Sequence, residues 1–188
     1  MLFFSLVPRR ARPRKTVEDF MRLPEGVRAE LIEGELIMSP SPKTPHQWVV
    51  MNLATTLAQF VHPRKLGRVF SAPYDVHLPS GDVVEPDVLY VAQASLSIVK
   101  DWVRGVPDLV VEVLSPEGIE RDRLIKRDLY ARNGVREYWI VDTDERTIEV
   151  LTLQRDEYEP WGYFGANDVL ESSLLAGFSL PIAEVFNW

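Results

Sequence analysis

Two carboxylates stand where apolar runs leave little room for charge. Asp87 sits in VVEPDVLYV, directly after Glu85-Pro86, and Glu112 follows 25 positions later in LVVEVL. A short run of β-branched and large apolar residues reads as a buried strand. A carboxylate inside such a strand is costly, because desolvation disfavours its charged form, unless it faces a cation. Two acids placed this way can share a divalent ion, which stabilises charge on a phosphoryl group in transit. They can equally belong to a structural ion pair, and the pattern alone leaves both readings open. Lys126 lies in the helical stretch after the second strand. It borders Ile125 and Leu129 and shares a stripe with Asp122 and Tyr130, four residues to either side. A lysine beside a metal can orient a water or neutralise developing charge.

The elements that must position these residues follow from periodicity and punctuation. Thr16 caps a first short helix, and 29–38 forms a hairpin about Glu33-Gly34 that carries Glu30. After a proline-rich loop, Thr44-Pro45 opens a helix with His46 in its first turn. Strand material at 69–70 and 74–78 leads through a turn to an antiparallel strand at 83–91, which carries Asp87. A short helix is expected at 92–103, a strand at 109–114, a helix at 120–133 closed by Gly134, and a strand at 137–141. The last three make a βαβ unit with parallel strands. Strands at 147–153 and 158–164 are candidate edges, where a homodimer would pair. A terminal helix at 180–186 is capped by Ser179. The order predicts an α/β (α+β) domain, a mixed central sheet flanked by helices.

Composition bounds the function. The chain has 188 residues, 46% of them apolar, which suits one domain with a sizeable core. No cysteine is present, so disulfides, thiolate metal sites and cysteine nucleophiles are excluded. Oxygen and imidazole ligands favour a hard ion such as Mg²⁺, Mn²⁺ or Ca²⁺. Of the 21 basic side chains, five (Arg9, Arg10, Arg12, Arg14, Lys15) fall in residues 1–15, which hold no acid. That segment reads as a flexible basic arm, and 16–188 as the single domain. The domain carries the other 16 basic residues against all 28 acids, or −12. A polyanion partner would have to be met by a local basic patch or bridging ions. No apolar run approaches the roughly 20 residues that span a bilayer, so no membrane partner is expected and the compartment reads as cytoplasmic.

The Pro86-Asp87 and Glu112-Val113-Leu114 segments resemble the PD-(D/E)-x-K nucleases, with leucine where the lysine is usual. Longer stretches carry a more specific likeness. ELIEGELIMSPSPKTPHQ, GRVFSAPYDVHLPSGDVVEPDVLYV, PDLVVEVLSP and RDRLIKRDLYARNGVREYWIVD resemble the Uma-two family of restriction-endonuclease-like proteins, over roughly residues 16–185. The resemblance implies the restriction-endonuclease-like fold and metal-dependent DNA cleavage with Mg²⁺ or Mn²⁺. It implies metal binding by Asp87 and Glu112, with the lysine displaced to the helix as Lys126. Glu30 corresponds to the family's hairpin acid and His46 to its helix-start histidine, an accessory. Two other uses fit the same residues: a binding or regulatory module that keeps the fold without catalysis, and a hydrolase of small phosphate esters.

Overall fold

The computed structural model describes residues 13–116 and 118–187. Residues 1–12, most of the expected arm, lie outside them; the Lys15 N–H donates to the Gly34 carbonyl at 2.7 Å. Helix α1 (Val17–Phe20) opens with a reciprocal capping box between Thr16 and Asp19. Strands β1 (Ala29–Ile32) and β2 (Glu35–Met38) form the hairpin. Glu33 at φ 52° and Gly34 at φ 80° supply the two left-handed residues its tight turn requires. Helix α2 (Thr44–Val61) is capped by Lys43 without a side-chain bond, so Thr44 is its first residue and not its cap. Strands β3 (Gly67–Ser71), β4 (Val76–His77), β5 (Val83–Val84), β6 (Val88–Ala92), β7 (Val103–Arg104) and β8 (Leu109–Val113) follow. A π-helical stretch (Arg121–Lys126) then runs into α3 (Arg127–Asn133), which Gly134 closes at φ 90°. Strands β9 (Glu137–Asp142), β10 (Thr147–Gln154), β11 (Glu157–Phe164), β12 (Val169–Glu171) and β13 (Ser179–Pro181) and helix α4 (Ile182–Val185) complete the chain.

The expected mixed sheet flanked by helices is present. Its six strands run in the order β11-β10-β9-β8-β6-β3, and β8 and β9 are parallel. A second sheet of five short strands runs β2-β1-β5-β4-β7. The strand expected at 83–91 is two strands in two sheets: β5 joins the small sheet and β6 the large one. Glu85-Pro86-Asp87 is the crossing, since Pro86 has no N–H to give a ladder. The helix expected at 92–103 is a 3₁₀ turn, Gln93–Ile98, followed by β7. The candidate edge at 147–153 is internal, because β10 lies between β9 and β11. Strand β11 is an edge, blunted by Pro160 and by a register shift at Val150/Leu151. Ser179 belongs to β13, which pairs with β12, and α4 has no side-chain cap.

Alternation along β8 divides the core. Leu109, Val111 and Val113 face α2, packing with Leu53, Leu57 and Trp139. Val110 and Leu114 face α3, packing with Leu129, Tyr130 and Tyr138. Glu112 shares their parity, so it points to the α3 side of the sheet. Among the described residues no helix is long and apolar enough to cross a membrane.

Candidate active site

Glu112 meets its two partners from two elements, the π-helical stretch and α3. The Lys126 ammonium, from the end of the π-helical stretch, lies 2.9 Å from Glu112 Oε1 and 2.8 Å from Glu30 Oε1. Glu30 comes from β1, so this lysine ties the two sheets together. The Tyr130 hydroxyl donates to Glu112 Oε1 at 2.6 Å. The Glu85 N–H donates to Glu30 Oε1 at 3.0 Å, and Arg28 Nε donates to the Glu85 carboxylate at 3.0 Å. Asp87 stands one residue beyond the Val88↔Val111 pair, at the end of β8 that carries Glu112. Its Oδ2 accepts from the Val113 N–H at 2.8 Å and lies 3.2 Å from His46 Nε2. Three of the five expected residues, Glu30, Glu112 and Lys126, are thus in direct contact. Asp87 and His46 form an adjoining pair, joined to the cluster through β8.

Burial makes this cluster electrostatically demanding. Glu30 and Lys126 are 2% exposed, and Glu112 and Asp122 are 4% exposed. Burial pushes the Glu112 carboxyl well above its ordinary range; Lys126 opposes the shift, and Asp122, Asp87 and Glu30 add to it. Burial likewise raises Asp122, against Lys126 and Arg121. Lys126 is pushed down by burial but held up more strongly by Glu112, Glu30 and Asp122, so its ammonium is firmly charged. His46 is also raised: its hydrogen bond and attraction to Asp87 outweigh its burial. The cluster floors a cleft of about 630 Å³. Arg28, Lys43 and Arg121 lie along this cleft, and Asp142, Asp144 and Glu145 add further acids to its lining.

The donor set suits a hard divalent ion. Eight carboxylates line the cleft, Glu30, Glu85, Asp87, Glu112 and Asp122 among them, against four cations (Arg28, Lys43, Arg121, Lys126). Asp122 Oδ1 is buried without a hydrogen-bond partner. Among the described residues no three His, Asp or Glu side chains converge closely enough to enclose an ion unaided. An ion that keeps several waters needs only one or two carboxylates, which Asp87 and Glu112 can supply.

Several participants were weak or absent in the sequence reading. Tyr130 and Asp122 shared the Lys126 stripe, but spacing did not reveal that a hydroxyl would bond Glu112 or that a carboxylate oxygen would be buried without a hydrogen bond. Arg28, Glu85 and Arg121 carried no signal, because their partners come from distant segments. Glu33, another hairpin acid, is exposed and pairs with Arg132 at 2.7 Å, away from the cluster.

The mixed sheet flanked by helices is a fold shared with a solved structure. A structure described as “a putative nuclease belonging to DUF820 from Anabaena variabilis ATCC 29413” superposes with a TM-score of 0.78. It is 22% identical, over 92% of this chain and 98% of that one, so the likeness is one of fold. The chain itself belongs to the Uma2 family, described as “Putative restriction endonuclease”, which matches residues 17–183. No curated protein matches it.

Proposed function

We propose that the protein is a divalent-metal-dependent DNA endonuclease that hydrolyses phosphodiester bonds in this cleft. One observation carries the reading: a buried, charged lysine held by two buried glutamates from different sheets at the floor of an open cleft. Family membership supports nucleic acid as the substrate. Asp87 and Glu112 would hold Mg²⁺ or Mn²⁺, which when bound supplies Lewis-acid stabilisation of the charge growing on the phosphate. Lys126 stays protonated and therefore takes no proton from water. Its N–H donors orient the water for in-line attack and neutralise charge on a non-bridging oxygen. Glu30 holds the ammonium together with Glu112 and assists through a water. His46 and the Val113 N–H keep the Asp87 carboxylate oriented. Because the body is acidic, phosphates must be met locally, by Arg28, Lys43 and Arg121 along the cleft.

Plasmid DNA incubated with Mg²⁺ or Mn²⁺ is expected to be nicked or cut, and Glu112→Ala and Lys126→Ala are expected to abolish this. Undiminished cleavage in both variants would overturn the assignment. A second reading, a non-catalytic binding module, is favoured by the closeness of the Glu30–Lys126–Glu112 contacts, which form an ion cluster complete without a ligand. Calorimetric titration separates the two: absence of heat with Mg²⁺, Mn²⁺ and Ca²⁺ favours the module.

A further inference from the structure

We infer that the cleft takes single-stranded DNA, with the phosphates along one wall and the bases against the other. The inference rests on the nuclease reading above and deepens it by naming the form of the substrate.

The cleft crosses the sheet ends between walls of opposite charge. Strand β8, which carries Glu112, lies between β6 and β9. On the β6 side, His46 Nε2 is 3.2 Å from Asp87 Oδ2, which seats the start of α2 and the 39–43 loop before it over that end. The Ser39 N–H donates to the Arg28 carbonyl at 3.1 Å, so Arg28 and Lys43 belong to the same wall. The Arg28 guanidinium is aimed by the buried Glu85 carboxylate, to which its Nε donates at 3.0 Å. On the β9 side stands the turn between β9 and β10. The Leu114 N–H donates to the Val141 carbonyl at 2.8 Å, which brings this turn alongside the end of β8. Asp142 Oδ1 accepts from the N–H groups of Asp144 (3.1 Å) and Glu145 (3.0 Å). These bonds fix the turn, and the Asp144 and Glu145 side chains stand exposed at the cleft.

Such a pair of walls separates the two faces of one strand. Phosphates are drawn to arginine and lysine and repelled by carboxylates. Carboxylates accept hydrogen bonds from base amino groups, as they do from the cytosine N4 amine. In a duplex the pairing edges are occupied, and a second phosphate chain accompanies the first. Crossing the cleft, that second chain would meet Asp144 and Glu145. Size agrees with charge. A cleft of about 630 Å³ falls among cavities that enclose small ligands, and it holds a group of nucleotide size rather than a double helix. Pro40, Pro42 and Pro45 line the basic wall, and each fixes its own φ, so widening is resisted. The scissile phosphate must also reach a floor where Lys126 is 2% exposed, and a strand free of its complement can bend down to it.

Anisotropy of a short labelled oligonucleotide, alone and annealed to its complement, reads binding with Ca²⁺; gel analysis reads cleavage with Mn²⁺. The single strand is expected to be bound and cut about tenfold or more better than the duplex. Asp144→Asn together with Glu145→Gln removes two charges at exposed positions and is expected to reduce that preference to about threefold or less, by strengthening duplex binding. Glu157→Gln with Glu159→Gln makes the same charge change on β11, outside the cleft, and is expected to leave the preference unmoved. Supercoiled plasmid, which unpairs locally, is expected to be nicked faster than relaxed plasmid. Duplex bound and cut as well as the single strand, a preference that survives the turn variant, or one that moves equally in the β11 variant overturns the inference and leaves the endonuclease reading standing. If neither form is bound or cut with either ion, both fall together.

Discussion

Two buried glutamates on neighbouring parallel strands behave as opposites. Glu112 on β8 and Glu137 on β9 are 4% and 0% exposed, and both sit in apolar strands. Glu137 faces the α2 side with Trp139 and Val141 and is saturated by neutral donors. Trp139 Nε1 (2.7 Å) and Ser172 Oγ (2.8 Å) donate to one oxygen; Ser173 Oγ (2.5 Å) and the Leu174 N–H (2.9 Å) donate to the other. No cation and no other acid enters that set, and the carboxylate pins the 172–174 loop to the sheet. Glu112 faces the α3 side, and both of its hydrogen bonds fall on Oε1. It stands among Asp87, Asp122 and Glu30 under an open cleft, with its pKa raised by burial and then by those acids, against Lys126. Burial of an acid therefore does not by itself mark a site. What sets Glu112 apart is incomplete satisfaction among like charges beside a cleft.

The contrast can be broken by exchanging each oxygen for an amide. Glu112→Gln is expected to reduce DNA cleavage by about 10²- to 10³-fold, the scale of removing one preorganised electrostatic contact. Glu137→Gln is expected to leave cleavage within a few-fold, because that side chain touches nothing in the cleft. Stability should respond in the reverse sense. An amide at Glu137 turns a donor toward Ser173 or Trp139, so the variant is expected to lose about 2–4 kcal/mol by urea unfolding. In a chain of this size that corresponds to about 2–4 °C in Tm for each kcal/mol. Cleavage lost equally in both variants, or stability lost equally, would mean that the two acids are not different in kind.

The pH dependence sharpens the same point. The folded Glu112 pKa lies well above its ordinary value of 4.5, so the folded chain holds a proton that the unfolded chain has released. Stability linked to this group is therefore full below about 4.5 and falls as pH rises toward the folded value. Measured without metal, in a chelator, Glu112→Gln is expected to gain on wild type across this window, by at most about 1.4 kcal/mol per pH unit. Since a ligand must shed its proton, Mn²⁺ affinity should rise over the same window. A stability difference that is flat between about pH 5 and pH 7 would show that Glu112 is already ionised in the fold.

Glu112 could be read from the sequence because an acid in LVVEVL is anomalous over a few residues. Glu137 could not: it opens EYWIV at a strand boundary, where an acid is unremarkable, and three of its four donors lie 35 to 37 residues away in a loop. The βαβ unit, the Gly34 hairpin turn and the Gly134 helix end were visible because periodicity and turn chemistry are local. The split of 83–91 between two sheets was not, since an extended backbone looks the same in either; only Pro86 hinted at it. The π-helical character of 121–126 leaves no mark in spacing, because the apolar stripe there is compatible with an α-helix. Lys126 as a site residue came from the resemblance alone, as a helix lysine reveals nothing of what it faces across 14 residues.

The finest test of the contrast removes one hydroxyl from each acid. Tyr130→Phe keeps the ring that packs against Tyr138 at 5.1 Å and removes half of what Glu112 Oε1 accepts. With only Lys126 left to favour its charged form, Glu112 should ionise still less readily, and the pH profile of cleavage should move to higher pH with a loss of about tenfold or less. Ser173→Ala leaves Glu137 three donors, so it is expected to cost about 1 kcal/mol of stability and to leave the pH profile unmoved. The two changes are chemically the same, one oxygen removed from a buried carboxylate's partners. A shifted pH profile in the serine variant, or an unshifted one in the tyrosine variant, would show that saturation by donors does not separate the structural acid from the functional one.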